Sequence, residues 1–250
     1  MTIQLGVDIG GSGVKGAPVD LDTAAFTAER ERVETPQPST PEAVAEAFAG
    51  IVGKFETEGP VGCTFPGIVQ HGVIRSAANV DSAWVDTDAA ALFGAAIDRP
   101  VVILNDADAA GIAEARYGAA KGRQGVVLVL TFGTGIGSAL LNDGELVPNT
   151  ELGHVELDGH DAENRAAAAV RDDEDLSWEA WGERVDHYLQ HLELLFTPDL
   201  FVIGGGVSKR FDKFAEHLHT RAEIVPAELR NAAGIVGAAL VAAGQEAPPA

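Results

Sequence analysis

Five stretches hold residue types whose spacing could do chemistry. Residues 7–16 read VDIGGSGVKG. Glycines there allow a tight hairpin and let backbone N–H groups approach an anion closely. Asp8, at the end of an apolar run, could hold Mg2+ through water. Gly10, Gly11, Ser12, Gly13 and Lys15 would then neighbour phosphate. No Gly-Lys-Ser/Thr follows at Walker spacing, and strand-forming residues stand where a dinucleotide fingerprint needs a helix. An ordinary Gly-rich hairpin is the plain alternative. Residues 130–140, LTFGTGIGSAL, repeat the logic. Thr131 and Thr134 add hydroxyls to the amides of Gly133, Gly135 and Gly137. Two such loops, each after a strand, suggest phosphates clamped between them. NDADAAG, 105–111, puts Asn105 and Asp106 at a strand end and helix start. A carboxylate there is either a helix cap or a general base. FVIGGGVSK, 201–209, offers Gly204, Gly205 and Gly206 either for close passage of a nucleoside or as a plain strand-to-helix turn.

The fifth stretch, TELGHVELDGHDAENRAAAA at 150–169, crowds Glu151, His154, Glu156, Asp158, His160, Asp161 and Glu163 together. Two histidines among carboxylates suggest a metal. Yet Cys63 is the single cysteine, and the His/acid spacing matches no zinc pattern. Glu151 and His154, three apart, can point the same way. Asp158, His160 and Asp161 read as solvated loop residues.

The elements that must position these residues alternate. Apolar strands are expected at 3–9, at the start of 61–69 before a turn, at 100–106, in 125–141 around the second Gly-rich turn, and from 199 to the glycines at 204–206. VKGAPVDL and ERERVET supply two further strands. A Pro-punctuated link, TPQPSTP, leads to Thr40, Pro41 and Glu42, a capping hydroxyl, a first-turn proline and an acid that together start a helix. Further helices are expected in 87–97, 107–118, 176–196, after 206, and in 231–244. The acid run before 176 puts Asp175 or Ser177 at a cap. Trp178 and Trp181 read as packing residues. Strand–helix alternation makes the class α/β. The Gly-rich hairpin recurs about half a chain later, which suggests two similar lobes sharing a cleft.

Composition narrows the chemistry. Of 250 residues, 17 are Lys or Arg and 38 are Asp or Glu, a formal charge of −21. Nucleic acid and anionic membrane surfaces call for basic patches, so both are disfavoured as partners. A polyanionic substrate would need a local cationic strip or backbone amides. There is no basic segment followed by a long apolar run, and no apolar run approaches the ~20 residues of a membrane span. A cytoplasmic protein is the expectation.

The pieces DIGGSGVKG, PGIV, NDADAAG, TFGTGIGSAL, ELGH and FVIGGGVSK fall in the order of the ROK sugar kinases and span nearly the whole chain, which therefore resembles that family. Within it, TPQPSTP, AANVDSAW, LNDADAAG, PNTELGH and NAAGIVGAAL are most similar to the polyphosphate glucokinases of actinobacteria. The resemblance implies an actin-like, two-lobe α/β fold of the hexokinase/Hsp70/actin superfamily (ribonuclease H-like). It would have a small N-terminal lobe of 1–106 plus 235–250, a large lobe of 107–234, and the active site in the cleft between them. It implies phosphoryl transfer from inorganic polyphosphate, and from ATP, to the 6-hydroxyl of glucose. By the same resemblance Asp106 is the catalytic base. Gly67, Asn79, Asn105, Glu151, His154 and Glu163 meet the sugar. Asp8, with Mg2+, Gly10, Gly11 and the 131–137 loop meet the phosphates. A homodimer is also implied.

One departure stands out. Most ROK proteins follow ELGH with a cysteine cluster that binds zinc and orders the sugar loop. This chain has no such cluster, so no zinc is expected, and something else must order the loop. For the polyphosphate chain, Lys15, Arg116, Lys121, Arg123, Lys209, Arg210 and Lys213 are the candidate cations. Rival readings are a ROK repressor, which would need a DNA-binding segment before the first phosphate strand, a catalytically silent sugar sensor, a strictly ATP-dependent glucokinase or glucomannokinase, and a fructokinase or N-acetylmannosamine kinase.

Overall fold

A computed structural model describes residues 2–77 and 80–244. The chain divides into two units, Met1–Ala113 with Ala232–Ala250, and Glu114–Asn231. The division falls inside a helix that starts at Asp106, later than the boundary expected from sequence, and the first unit is the longer of the two.

In the first unit, β1 (Ile3–Gly10) and β2 (Gly13–Asp20) form the Gly-rich hairpin. Strands β3 (Ala25–Phe26) and β4 (Glu31–Val33) both pair with β2. Thr40 caps α1 (Pro41–Val52), its side chain accepting from the Ala43 N–H at 3.3 Å, with Pro41 in the first turn. Then come β5 (Val61–Phe65), the short hairpin β6 (Val69–Gln70) and β7 (Val73–Ile74), α2 (Ala89–Ile97) and β8 (Val101–Asn105). The sheet order is β3-β2-β1-β5-β8, with β1, β5 and β8 parallel. Side chains alternate across a strand. Leu5, Val7, Val61 and Cys63 therefore face the core shared with α1 and α2, while Gly6 and Gly62 face the helix Ala233–Ala242. That helix carries apolar residues all round and is buried along its length.

Helix α3 (Asp106–Tyr117) leads into the second unit. There β9 (Val126–Phe132) and β10 (Ile136–Asn142) make the second Gly-rich hairpin, extended by β11 (Glu145–Val147). The hairpin β12 (Glu156–Leu157) and β13 (His160–Asp161) precedes the short helices α4 (Glu163–Ala166) and α5 (Ala168–Asp173). Ser177, not Asp175, caps the long helix α6 (Trp178–Phe196). Strands β14 (Leu200–Gly205) and β15 (Glu223–Pro226) complete a sheet of order β11-β10-β9-β14-β15. Each unit's main sheet is thus an antiparallel hairpin whose first strand also pairs in parallel with the strands that follow, the repetition read from the two Gly-rich turns. Leu128, Leu130 and Phe132 pack on one face against Trp181, Val185 and Tyr188 of α6. Trp181 is fully buried, and Trp178 lies edge-on to it with ring centroids 5.8 Å apart, so both are packing residues as expected.

The helix expected after Gly206 is absent. Gly206–Lys213 forms 3-10 turns broken at Arg210, whose φ is −123°. Gly205, at φ 78°, sends the chain off the strand end, and Ser208 Oγ donates to its carbonyl at 2.9 Å. That local bond draws the backbone into the tighter turn. Among the described residues no helix is long and apolar enough to cross a membrane.

Candidate functional site

The strand β8 delivers Asn105 and Asp106 together to the start of α3. Asn105 caps α3: its Oδ1 accepts the N–H groups of Ala107 at 2.8 Å and Asp108 at 3.1 Å. Its Nδ2 donates to the Gly67 carbonyl at 3.1 Å. Expected as a sugar ligand, Asn105 has both ends of its amide engaged in holding α3 and the Gly67 turn. Asp106, a half-buried carboxylate in the first turn of the helix, also accepts from the Ala107 N–H, through Oδ1 at 2.9 Å, so both side chains meet the helix start. Asn79 lies outside the described residues.

The first Gly-rich hairpin is tight. Gly10 pairs with Gly13, so the turn itself is Gly11 and Ser12. Asp8 sits in register with Lys15 on one side and Thr64 on the other. The Thr64 hydroxyl donates to Asp8 Oδ1 at 2.8 Å, and Lys15 Nζ lies 3.2 Å from Oδ2. Lys15, expected among phosphate ligands, is paired first with Asp8. Arg32 stands opposite Lys15 on β4 and donates from Nη2 to the Ser12 carbonyl at 2.9 Å. A Cβ on residue 13 would lie 2.7 Å from Arg32 Nε, so the guanidinium can cover the turn because residue 13 is glycine.

In the second unit, Gly204 and Gly205 lie beside Thr131 and Phe132 in parallel register, which brings the third Gly-rich turn against the second. The Gly133 N–H closes onto the Gly135 carbonyl at 2.9 Å and is used within its own turn. A cavity of about 480 Å3 opens here, bounded by Gly133, Thr134, Arg171, Trp178, Gly206 and Arg210. The Trp178 ring has Arg171 at 3.9 Å on its face and Phe214 stacked at 5.9 Å. Of the other candidate cations, Arg123 is paired with Glu223 at 2.9 Å.

The stretch at 150–169 folds into a compact cluster. Ser138 of β10 anchors its start: the hydroxyl donates to the Thr150 carbonyl at 2.6 Å and accepts from the Leu152 N–H at 3.0 Å. A 3-10 turn over Leu152–His154 presents Glu151 and His154. His154 Nδ1 lies 3.0 Å from Asp161 Oδ2 and 3.8 Å from Glu163 Oε1. Glu163 Oε2 accepts from the Ile136 N–H at 3.0 Å. Glu151, His154 and Glu163 are thus neighbours. The hydrogen bond to Asp161 holds the His154 imidazole above its usual range; partial burial opposes this, and the charges of Glu163, Asp161 and Glu151 reinforce it. Burial pushes the Glu151 carboxyl up, with His154 opposing and Glu163 adding. Asp161 is therefore no solvated bystander, because it fixes the ring of His154. Its neighbours Asp158 and His160 are exposed, as expected, and each has a partner: Asp158 pairs with His187 of α6 at 2.9 Å, and His160 meets Arg165 at 3.0 Å.

A family model described as the ROK family matches residues 4–170. The chain belongs to the ROK family. It is 51% identical over 236 residues to a polyphosphate glucokinase of Mycobacterium tuberculosis, covering 94% of this chain and 89% of that relative. It is 49% identical to a polyphosphate glucokinase of Mycobacterium leprae, over 94% of this chain and 73% of that one. The crystal structure of an inorganic polyphosphate/ATP-glucomannokinase from Arthrobacter sp. strain KM superposes with a TM-score of 0.94 at 55% identity, covering 98% of this chain and 100% of that one. The actin-like two-lobe α/β fold of the ROK kinases follows.

In this ROK chain the hairpin β12–β13 and α4 stand where the resemblance places a zinc cluster in most members. Here the hairpin is tied to α6 by the Asp158–His187 pair, and α4 by Arg184, which reaches the Arg165 carbonyl at 3.4 Å and Glu174 at 2.7 Å. Two residues escaped the sequence reading. Arg32 has no motif around it, and only the pairing of β4 with β2 brings it over the hairpin. Asp161 was visible in the acidic run, but the register Glu156↔Asp161 is what turns it toward His154.

Proposed function

We propose that this chain transfers a phosphoryl group from inorganic polyphosphate, and from ATP, to the 6-hydroxyl of glucose, giving glucose 6-phosphate. The near-full-length 51% identity to a protein named polyphosphate glucokinase carries the reading. Asp106 is assigned as the base that takes the hydroxyl proton while the sugar oxygen bonds to phosphorus and the bond to the leaving phosphate oxygen breaks. Its place supports this role: Asp106 is a half-buried carboxylate directly after β8, next to Asn105 and the Gly67 turn that Asn105 holds. Glu151, His154 and Glu163 are assigned to sugar hydroxyls, with Gly67 and Asn105 shaping the loop beside Asp106.

The phosphates are assigned to the turn Gly10–Gly13, to the 131–135 loop and to Gly204–Gly206. The register Asp8–Lys15–Arg32 adds two cations side by side next to the first turn. Like charges directly opposite on neighbouring strands repel each other and are relieved by an anion. Asp8 is a single carboxylate, with one oxygen on Thr64 and the other near Lys15. That donor set suits Mg2+ held through water and shared with substrate phosphates, rather than in a protein cage. When bound, the ion neutralises charge on the phosphoryl oxygens.

A coupled assay of the purified protein tests the reading. Glucose 6-phosphate should form with polyphosphate and with ATP, each dependent on Mg2+. No product from polyphosphate would remove the donor assignment, and no product from either donor would remove the kinase. We further read the protein as a cytoplasmic homodimer, to be checked by fractionation and by sedimentation.

A further inference from the structure

Beyond the donor and sugar residues, the second unit holds a separate cavity of about 290 Å3 between β12–β13, α4 and α6. Its floor is apolar, with Leu157, Ala162 and Ala166, and its polar lining is mostly donors: Arg165, Arg184, His187 and Tyr188. The only carboxylate of the lining is Asp158, which is paired with His187 at 2.9 Å. Arg184 is paired with Glu174 at 2.7 Å. Arg165 makes no ion pair with a carboxylate among the described residues; its guanidinium meets the ring nitrogen of His160 at 3.0 Å. The Tyr188 hydroxyl is buried with no hydrogen-bond partner. A buried, unpartnered donor is costly and calls for an acceptor.

A pocket that gathers guanidiniums runs against the composition of a chain with charge −21. Forked guanidinium donors match phosphate oxygens two at a time. The volume lies at the small end of ligand pockets, so it suits a phosphate group alone or on a single sugar. We propose that this cavity, lined by Arg165, Arg184, His187 and Tyr188, is a second anion site that takes a phosphate monoester or free orthophosphate.

Its walls give an occupant a consequence. The same hairpin carries Asp161, which holds His154, and the same α4 begins with Glu163. The Tyr188 phenol is pushed up first by burial and then by the charge of Glu163, so the two groups sense each other. An occupant would stitch the hairpin and α4 to α6, the ordering that zinc gives most of the family.

Ring resonances of His160 and His187 in the full chain, followed by NMR while orthophosphate or glucose 6-phosphate is added, read this site directly. Saturable shifts are expected in the wild type and should need at least tenfold more ligand in the R165A/R184A double variant. Equal response to both ligands identifies a free-phosphate site. At least tenfold tighter response to glucose 6-phosphate identifies a sugar-ester site. Unmoved rings, or shifts unchanged in the double variant, would overturn the proposal. Should the alanine variant not fold, R165K/R184K carries the test. It keeps the charge but loses the fork, so several-fold weaker binding is expected, and wild-type binding would count against the site.

Discussion

Asp106 and Asn105 are adjacent and similar in size, both accept from the Ala107 N–H, and the Asn105 amide also donates to the Gly67 carbonyl. Replacing Asp106 by Asn keeps the shape and removes the proposed base. Turnover should fall by ~10²–10⁴-fold, with a much smaller change in the KM for glucose, as steady-state kinetics would show. His154 behaves as a titrating group whose charged form the fold favours. Its folded-state value lies above the ordinary 6.5, so its contribution to stability is fully present below 6.5 and is lost as pH rises through the folded value. Asp161→Asn removes the largest cause. The NMR titration midpoint of His154 should then move down, and the loss of stability above pH 6.5 should flatten. For Arg32, truncation to Ala removes a charged donor from the first Gly-rich turn, where phosphate is proposed to bind. A charge-assisted hydrogen bond is worth roughly 1.5–3 kcal/mol. The KM for the phosphoryl donor should accordingly rise by about 10–100-fold while the KM for glucose stays put, and Arg32→Lys should recover part of the loss.

At the level of elements, the C-terminal helix shows how small residues set geometry. A Cβ on Gly237 would stand 1.9 Å from the Ala109 carbonyl oxygen of α3, a contact with backbone that cannot swing aside. Gly237→Ala should shift the helix against α3 and cost about 1–3 kcal/mol, read as a lowered thermal midpoint. Because α3 begins at Asp106, activity should fall together with stability. The 206–213 segment teaches the opposite lesson. Its sequence pattern reads as a helix, with an amphipathic spacing and basic residues late. The bond of Ser208 Oγ to the Gly205 carbonyl and the break at Arg210 make it 3-10 turns instead. A local side-chain bond outweighed a periodic pattern too short to nucleate an α-helix by itself.

For the molecule as a whole, the polar links that tie the 150–169 stretch to α6 and β10 do not call for zinc. Metal analysis of the purified protein is expected to find no stoichiometric zinc, and a chelator should leave the thermal midpoint unmoved. Stoichiometric zinc, or a melt lowered by chelator, would contradict this. The class, most of the longer strands and helices, the two Gly-rich hairpins and the family motifs were legible in the chain, because each rests on local spacing: two residues for a strand, between three and four for a helix, glycines where a turn must be tight. The cap at Thr40 was legible for the same reason, and the one at Ser177 as one of two candidates.

What the tertiary structure decided were partnerships between distant residues. Ser12 and Arg32 meet because β4 pairs with β2. Asn105 joins the start of α3 to the Gly67 turn because its amide reaches both at the same time. Asp161 serves His154 because the β12–β13 register turns it that way. Sequence determined most of the longer elements, 206–213 excepted, since their hydrogen bonds and periodicities are short-range. Only the folded chain could assign the partners of its charged side chains, since those depend on strand register and packing that no local spacing encodes.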